Sequence, residues 1–150
     1  METRGKGVRP KRARPGSTQD ADPVRVLIAD AEQGFRRFIR RILERQPDLN
    51  VVGQASDAEE VVRLAQQLKP DVVLIDIDLP GLDGLEATRH IKASLPGMKV
   101  IMLSAVDGET YRNTAAKHGA DGFLPKSAPV SEILSVIRHR DSVKAVSGNR

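Results

Sequence analysis

The 150-residue sequence predicts an α/β domain with a parallel sheet covered by helices on both faces. Three observations carry this. Five short runs are almost continuously aliphatic, as strands buried on both faces must be. The stretches between them show helical rather than alternating periodicity. Gly, Pro or Asp marks nearly every junction.

The first strand is VRVLIAD, 24–30, and the helix after it is GFRRFIRRILERQ, 34–46, with Phe35, Phe38, Ile39, Ile42 and Leu43 expected inward. NVVGQA, 50–55, is a short strand; Ser56-Asp57 then supplies a helix cap for AEEVVRLAQQLK, 58–69, which Pro70 stops. DVVLID, 71–76, is the most apolar strand. After the loop LPGLDG, the helix LEATRHIKASL covers 85–95 and Pro96-Gly97 closes it. KVIMLSA, 99–105, is the fourth strand. A polar, weakly anchored helix over 107–119 ends at Gly119, which suits a left-handed terminus. GFLPKS, 122–127, gives the last strand, and the final helix falls in 128–140. Crossovers between parallel strands are right-handed, which places helices on both sides.

Composition narrows the classes. Aromatics make up only 3% of residues, so the core is aliphatic, and no apolar run approaches a membrane span. The N-terminus does not read as a secretory leader. With no cysteine, disulfides, thiolate metal sites and thiol nucleophiles are excluded, in keeping with a reducing cytoplasm. Residues 1–19 hold six Lys/Arg against one Glu. With +4 overall, the remainder is close to neutral at −1. The organisation expected is therefore a disordered basic arm over 1–22, one domain over 23–140 and a flexible tail over 141–150. The arm is the only feature that would bring the chain to nucleic acid.

Ligands of such sheets gather beyond the carboxyl ends of the strands. There the strands deliver Asp30, Asp76, Ser104 and Lys126. One strand-end Asp is commonly a turn cap. Two acids, a hydroxyl and a lysine on one edge are chemically complementary and serve no packing need.

These residues, set in DVVLIDIDLPGLDGLE, VIMLSA and GADGFLPKSA, resemble the receiver domains of two-component response regulators, above all those that precede LuxR-type DNA-binding domains. The resemblance spans residues 24–138. It implies a CheY-like, flavodoxin-like fold with strand order 2-1-3-4-5. It also implies Asp76 as acceptor of a phosphoryl group from a histidine kinase or phosphotransfer protein. Lys126 and Ser104 would contact the phosphoryl oxygens, and Phe123 would be the aromatic whose rotamer follows Ser104. Mg²⁺ would be bound by Asp30, Asp76 and the backbone carbonyl of Asp78. Such receivers usually carry two adjacent acids after the first strand; here Ala31 stands at the second, which implies weak Mg²⁺ binding unless Glu32 reaches in. Output would pass through the 107–139 face to a downstream protein, to a LuxR-type effector domain that is not seen here, or to a second copy in a dimer. Membrane association is not implied.

Two other readings compete. The pocket lacking one acid suits an atypical receiver that signals by protein contacts without phosphorylation. VLIDIDLPG also imitates the Asp-x-Asp nucleophile of haloacid-dehalogenase-type phosphatases, but on the third strand, with only Glu132 and Asp141 as acids after Lys126. Arg36, Arg37, Arg40, Arg41 and Arg45 on the first helix read as a solvated face; the resemblance, in which this helix docks the kinase, implies instead that they would select an acidic partner. His90, His118 and His139 lack metal-ligand spacing and are expected at the surface.

Overall fold

The computed structural model describes residues 22–81 and 83–139. Residues 1–21 of the expected arm and all of the expected tail lie outside the described residues.

Five strands, β1 (Val24–Ala29), β2 (Leu49–Ala55), β3 (Val72–Asp76), β4 (Lys99–Ser104) and β5 (Gly122–Pro125), alternate with five helices. These are α1 (Gln33–Glu44), α2 (Ala58–Leu68), α3 (Asp83–Ser94), α4 (Glu109–Lys117) and α5 (Val130–Arg138). The strands form one parallel sheet in the order β2-β1-β3-β4-β5. The order reverses between β1 and β3, so Asp30 and Asp76 lie beside the switch point where such folds bind ligands.

Alternation along each strand feeds two separate cores. Leu27, Ala29, Val73, Ile75, Val100, Met102 and Phe123 pack with Val61 and Ala65 of α2 and with Ala87 and Ile91 of α3. Val26, Ile28, Val72, Leu74, Ile101 and Leu103 pack against Ile39 and Leu43 of α1 and Ile133, Val136 and Ile137 of α5. Both faces of every central strand are thus dry, which accounts for their unbroken aliphatic sequences.

The helix ends follow local chemistry. Asp57 caps α2 by accepting from Glu60 N at 2.8 Å, while Glu60 Oε1 accepts from Ser56 N at 3.0 Å. Lys69 ends α2 in the left-handed conformation (φ 48°), immediately before Pro70. Gly119, at φ 100°, follows α4 as predicted. Helix α3 begins two residues earlier than the apolar pattern suggested, because Asp83 Oδ1 accepts from Glu86 N at 2.9 Å and starts it. Lys99 Nζ donates to the carbonyls of Val136 and His139 and stops α5 electrostatically.

Two expectations need correction. Phe38 is 49% exposed rather than inward. The buried stripe of α1 centres on Ile39 and Leu43, and one residue turns the helix by about 100°, which carries Phe38 to the edge. There it tilts against Phe35, with ring centroids 6.1 Å apart. His118 is half-buried, unlike exposed His90 and His139. Its Nδ1 donates to the Thr114 carbonyl at 2.9 Å, and its Nε2 lies 4.0 Å from Glu86 Oε2.

Candidate functional site

Asp30, Asp76, Ser104 and Lys126 all stand at or just beyond the C-terminal tips of strands, as the alternation predicted. The first three are buried, at 1%, 6% and 1% exposure. Lys126 Nζ joins the two acids: it lies 2.7 Å from Asp30 Oδ2 and 3.2 Å from Asp76 Oδ2. The other carboxylate oxygens are held by the backbone. Asp30 Oδ1 accepts from Glu32 N at 2.8 Å, and Asp76 Oδ1 from Asp78 N at 3.0 Å. Asp30 Oδ2 has the lysine's ion-pair contact but no well-angled hydrogen bond.

Ser104 Oγ accepts from Val106 N at 3.0 Å, which leaves the hydroxyl proton available for donation. The backbone of the same residue ties β4 to β5, because Lys126 N donates to its carbonyl at 2.7 Å. Phe123 is buried, and the Arg112 guanidinium sits 5.3 Å from its ring centroid. The Asp78 side chain is exposed, so only its backbone turns toward the pocket. Glu32 is also exposed, with Oε1 3.8 Å from Lys126 Nζ.

Several contributors were not legible beforehand. Phe35 places its ring centroid 4.7 Å from Lys126 Nζ. Arg36 Nη1 donates to the Asp30 carbonyl at 2.6 Å. Gly84 N donates to the Ile77 carbonyl at 3.1 Å, so α3 starts against the end of β3. Phe35 and Arg36 lie in the first turn of α1, five and six residues past Asp30, close enough for long side chains to reach back to it.

The electrostatics follow from burial. Removal from water pushes the Asp30 carboxyl above its ordinary value, and the negative Asp76 adds to this; the Lys126 ammonium and the Glu32 N–H oppose it without cancelling it. Burial alone would pull Lys126 down, but the contacts with Asp30 and Asp76 win and hold the ammonium above its ordinary value.

Because the native pKa of Asp30 is raised, its favourable contribution is complete below the ordinary carboxylate value of 3.8 and is lost as pH rises through the native value. Asp30→Asn is therefore expected to raise the thermal midpoint at pH 7 in metal-free buffer. The gain should vanish as the pH falls below about 4, where both forms are neutral. Thermal melts at several pH values check this, and a lower midpoint at pH 7 would contradict it.

Among the described residues, no group of three or more His, Asp or Glu side chains gathers as a ready-made metal site. The donors present are two buried carboxylates, one of them with an under-used oxygen, and the nearby backbone carbonyls. That set fits a hard, oxygen-seeking cation that keeps several waters, as magnesium does.

Comparison with known proteins decides the family. Residues 26–138 match the response regulator receiver domain. The chain belongs to that family. The receiver is 39% identical over 115 residues to the response regulator GacA of Pseudomonas viridiflava, which covers 77% of this chain and 54% of that protein. A LuxR-family two-component response regulator from Aurantimonas sp. SI85-9A1 superposes with TM-score 0.75 at 32% identity, over 86% of this chain and 89% of that one. The response regulator domain of Thermotoga maritima CheB gives 0.71 at 33%, over 83% and 97%. The chain spans about half the length of the curated relatives it matches. Receivers of this family are signalling switches of two-component systems rather than metabolic enzymes. No helix among the described residues is long and apolar enough to cross a membrane.

Proposed function

We propose that Asp76 is the phosphoacceptor of this receiver. The observation that carries the reading is the buried Asp76 carboxylate at the tip of β3, with a lysine ammonium 3.2 Å from one oxygen. In the step proposed, a carboxylate oxygen of Asp76 attacks the phosphorus of a phosphohistidine on a histidine kinase or phosphotransfer protein. The O–P bond forms as the N–P bond breaks, and the donor imidazole leaves with the bonding pair and takes up a proton. Lys126 neutralises charge on the phosphoryl oxygens and the acid, and the free proton of Ser104 is donated to another of those oxygens. Mg²⁺, when bound by Asp30, Asp76 and the Asp78 carbonyl, would supply further neutralisation of the phosphoryl charge. Glu32 is turned toward Lys126, and Ala31 offers no ligand, so magnesium affinity is low.

Output is assigned to residues 107–139. Helix α4 buries only Ala115 and is the least anchored element on that face. Its partners are a downstream protein, an effector domain of LuxR type or a second copy of the receiver, in the cytoplasm. Self-phosphorylation from a small donor and self-dephosphorylation belong to the same pocket. The atypical, phosphorylation-independent reading draws on one observation, that Lys126 already neutralises both buried acids without a ligand.

Intact-mass measurement after incubation with acetyl phosphate and Mg²⁺ separates the two. A gain of one hydroxylamine-labile phosphoryl group, absent in Asp76→Ala, is the result expected. No incorporation from acetyl phosphate or any kinase, or incorporation that survives in Asp76→Ala, would overturn the proposal.

A further inference from the structure

Along α1, Gln33, Arg36, Arg37 and Arg40 recur at the spacing of a single helix face. That face does not lie open to solvent throughout. With Gln54, Ala55, Ser56 and Glu60 it lines a cleft of about 360 Å³ between α1 and the start of α2. Three guanidinium groups thus face one carboxylate, and Ala55 is the only apolar residue in the lining.

The lone acid is already engaged, since Glu60 Oε1 accepts from Ser56 N at 3.0 Å and lies 3.4 Å from its hydroxyl. The arginines keep donors in hand. Arg37 makes no ion pair among the described residues. Arg40 meets Glu44 through Nε at 3.2 Å, and Arg36 spends Nη1 on the Asp30 carbonyl. A guanidinium carries five donors in a planar fork that matches phosphate oxygens in pairs.

We propose that this cleft binds a small oligophosphate of pyrophosphate size through Arg36, Arg37 and Arg40. The volume is at the lower end for small-ligand sites, and Ala55 alone offers too little apolar surface for a nucleobase or for the hydrophobic anchor that a protein partner uses. Its position also gives binding a consequence. Arg36 holds the Asp30 carbonyl from one wall, and Ala55, in the other wall, accepts from Asp30 N at 3.0 Å. The ligand therefore acts on the backbone of a pocket residue from both sides. The site goes beyond the phosphoacceptor reading and stands without it, because binding is measured directly.

The test is a titration of the full chain with pyrophosphate, without Mg²⁺ and at constant ionic strength, followed by backbone amide shifts. Saturable shifts are expected over 33–40 and 54–60 and at Asp30. Arg37→Ala should weaken binding at least tenfold, whereas Arg41→Ala, on the same helix but outside the cleft, should change it less than twofold. Equal loss in both variants would mean diffuse surface charge and would overturn the proposal. So would shifts confined to Asp76, Ser104 and Lys126 or to the basic N-terminal residues, or no saturation by tens of millimolar. A nucleoside diphosphate binding more tightly than pyrophosphate would overturn the claim that phosphates alone are read. An Asp/Glu-rich peptide displacing pyrophosphate at matched concentration would reassign the cleft to protein docking.

Discussion

Gly84→Ala is expected to cost about 3 kcal/mol or more of folding stability, or to leave the chain insoluble. A Cβ at this position would lie 2.1 Å from the Asp76 carbonyl oxygen, 2.8 Å from Ile77 Cα and 2.9 Å from the Asp76 carbonyl carbon. All three are backbone atoms, so no rotamer change relieves the clash. The backbone of Gly84 is not left-handed; space rather than conformation demands glycine. The start of α3 would have to move off β3, which breaks the Gly84 N–H to Ile77 carbonyl bond and shifts the segment that carries Asp76. Gly97→Ala is the matched control, because a Cβ there meets nothing within 4 Å and the change should stay within about 0.5 kcal/mol. Urea unfolding of both variants decides it. A cost under 1 kcal/mol for Gly84→Ala would contradict the close approach.

Lys126→Met is expected to lower stability at pH 7 by about 3 kcal/mol, since it strands two buried carboxylates while keeping most of the stem beside Phe35. The carboxylate side chains are only 2% and 8% exposed, so water replaces the ammonium poorly. The pH dependence carries a definite sign. Without the lysine, the native pKa of Asp30, already raised by burial, rises further, and stability falls as pH climbs through it. Acidification toward 3.8 should therefore recover much of the loss. Adding Asp30→Asn to Lys126→Met should reduce the cost at pH 7, because one stranded charge disappears. Equal stability of Lys126→Met and the parent at pH 7 would contradict the role of the ammonium in offsetting the two buried acids.

Much of the fold was readable because its determinants are local and repeated. Aliphatic strands of four to seven residues can be satisfied only by burial on both faces, and the switch point then draws the strand tips together. That reasoning placed Asp30, Asp76 and Lys126 on one edge before any geometry was known. What it could not reach are contacts set by the angle of a helix against the sheet. Phe38 looked inward because an apolar residue was counted without fixing the centre of the stripe at Ile39 and Leu43. Gly84 read as a loop residue, since the approach of α3 to the backbone of β3 leaves no trace in composition. Arg36 looked like one of five solvated arginines, although its length and position let it reach back to the Asp30 carbonyl. His118 was misjudged for the same reason, because its partners come from Thr114 one turn earlier and from α3.

In the reading proposed, the pocket around Asp76 works as a phosphoryl switch with Ala31, not a second acid, beside Asp30. This is tested most directly by amide shifts on titration with Mg²⁺ and then with beryllofluoride, which stands in for the phosphoryl group on Asp76. Shifts at Asp30, Asp76, Ser104 and Lys126 that spread over 107–125 are the result predicted. No response at millimolar Mg²⁺, with none on adding beryllofluoride, would contradict it and leave signalling through unphosphorylated surfaces.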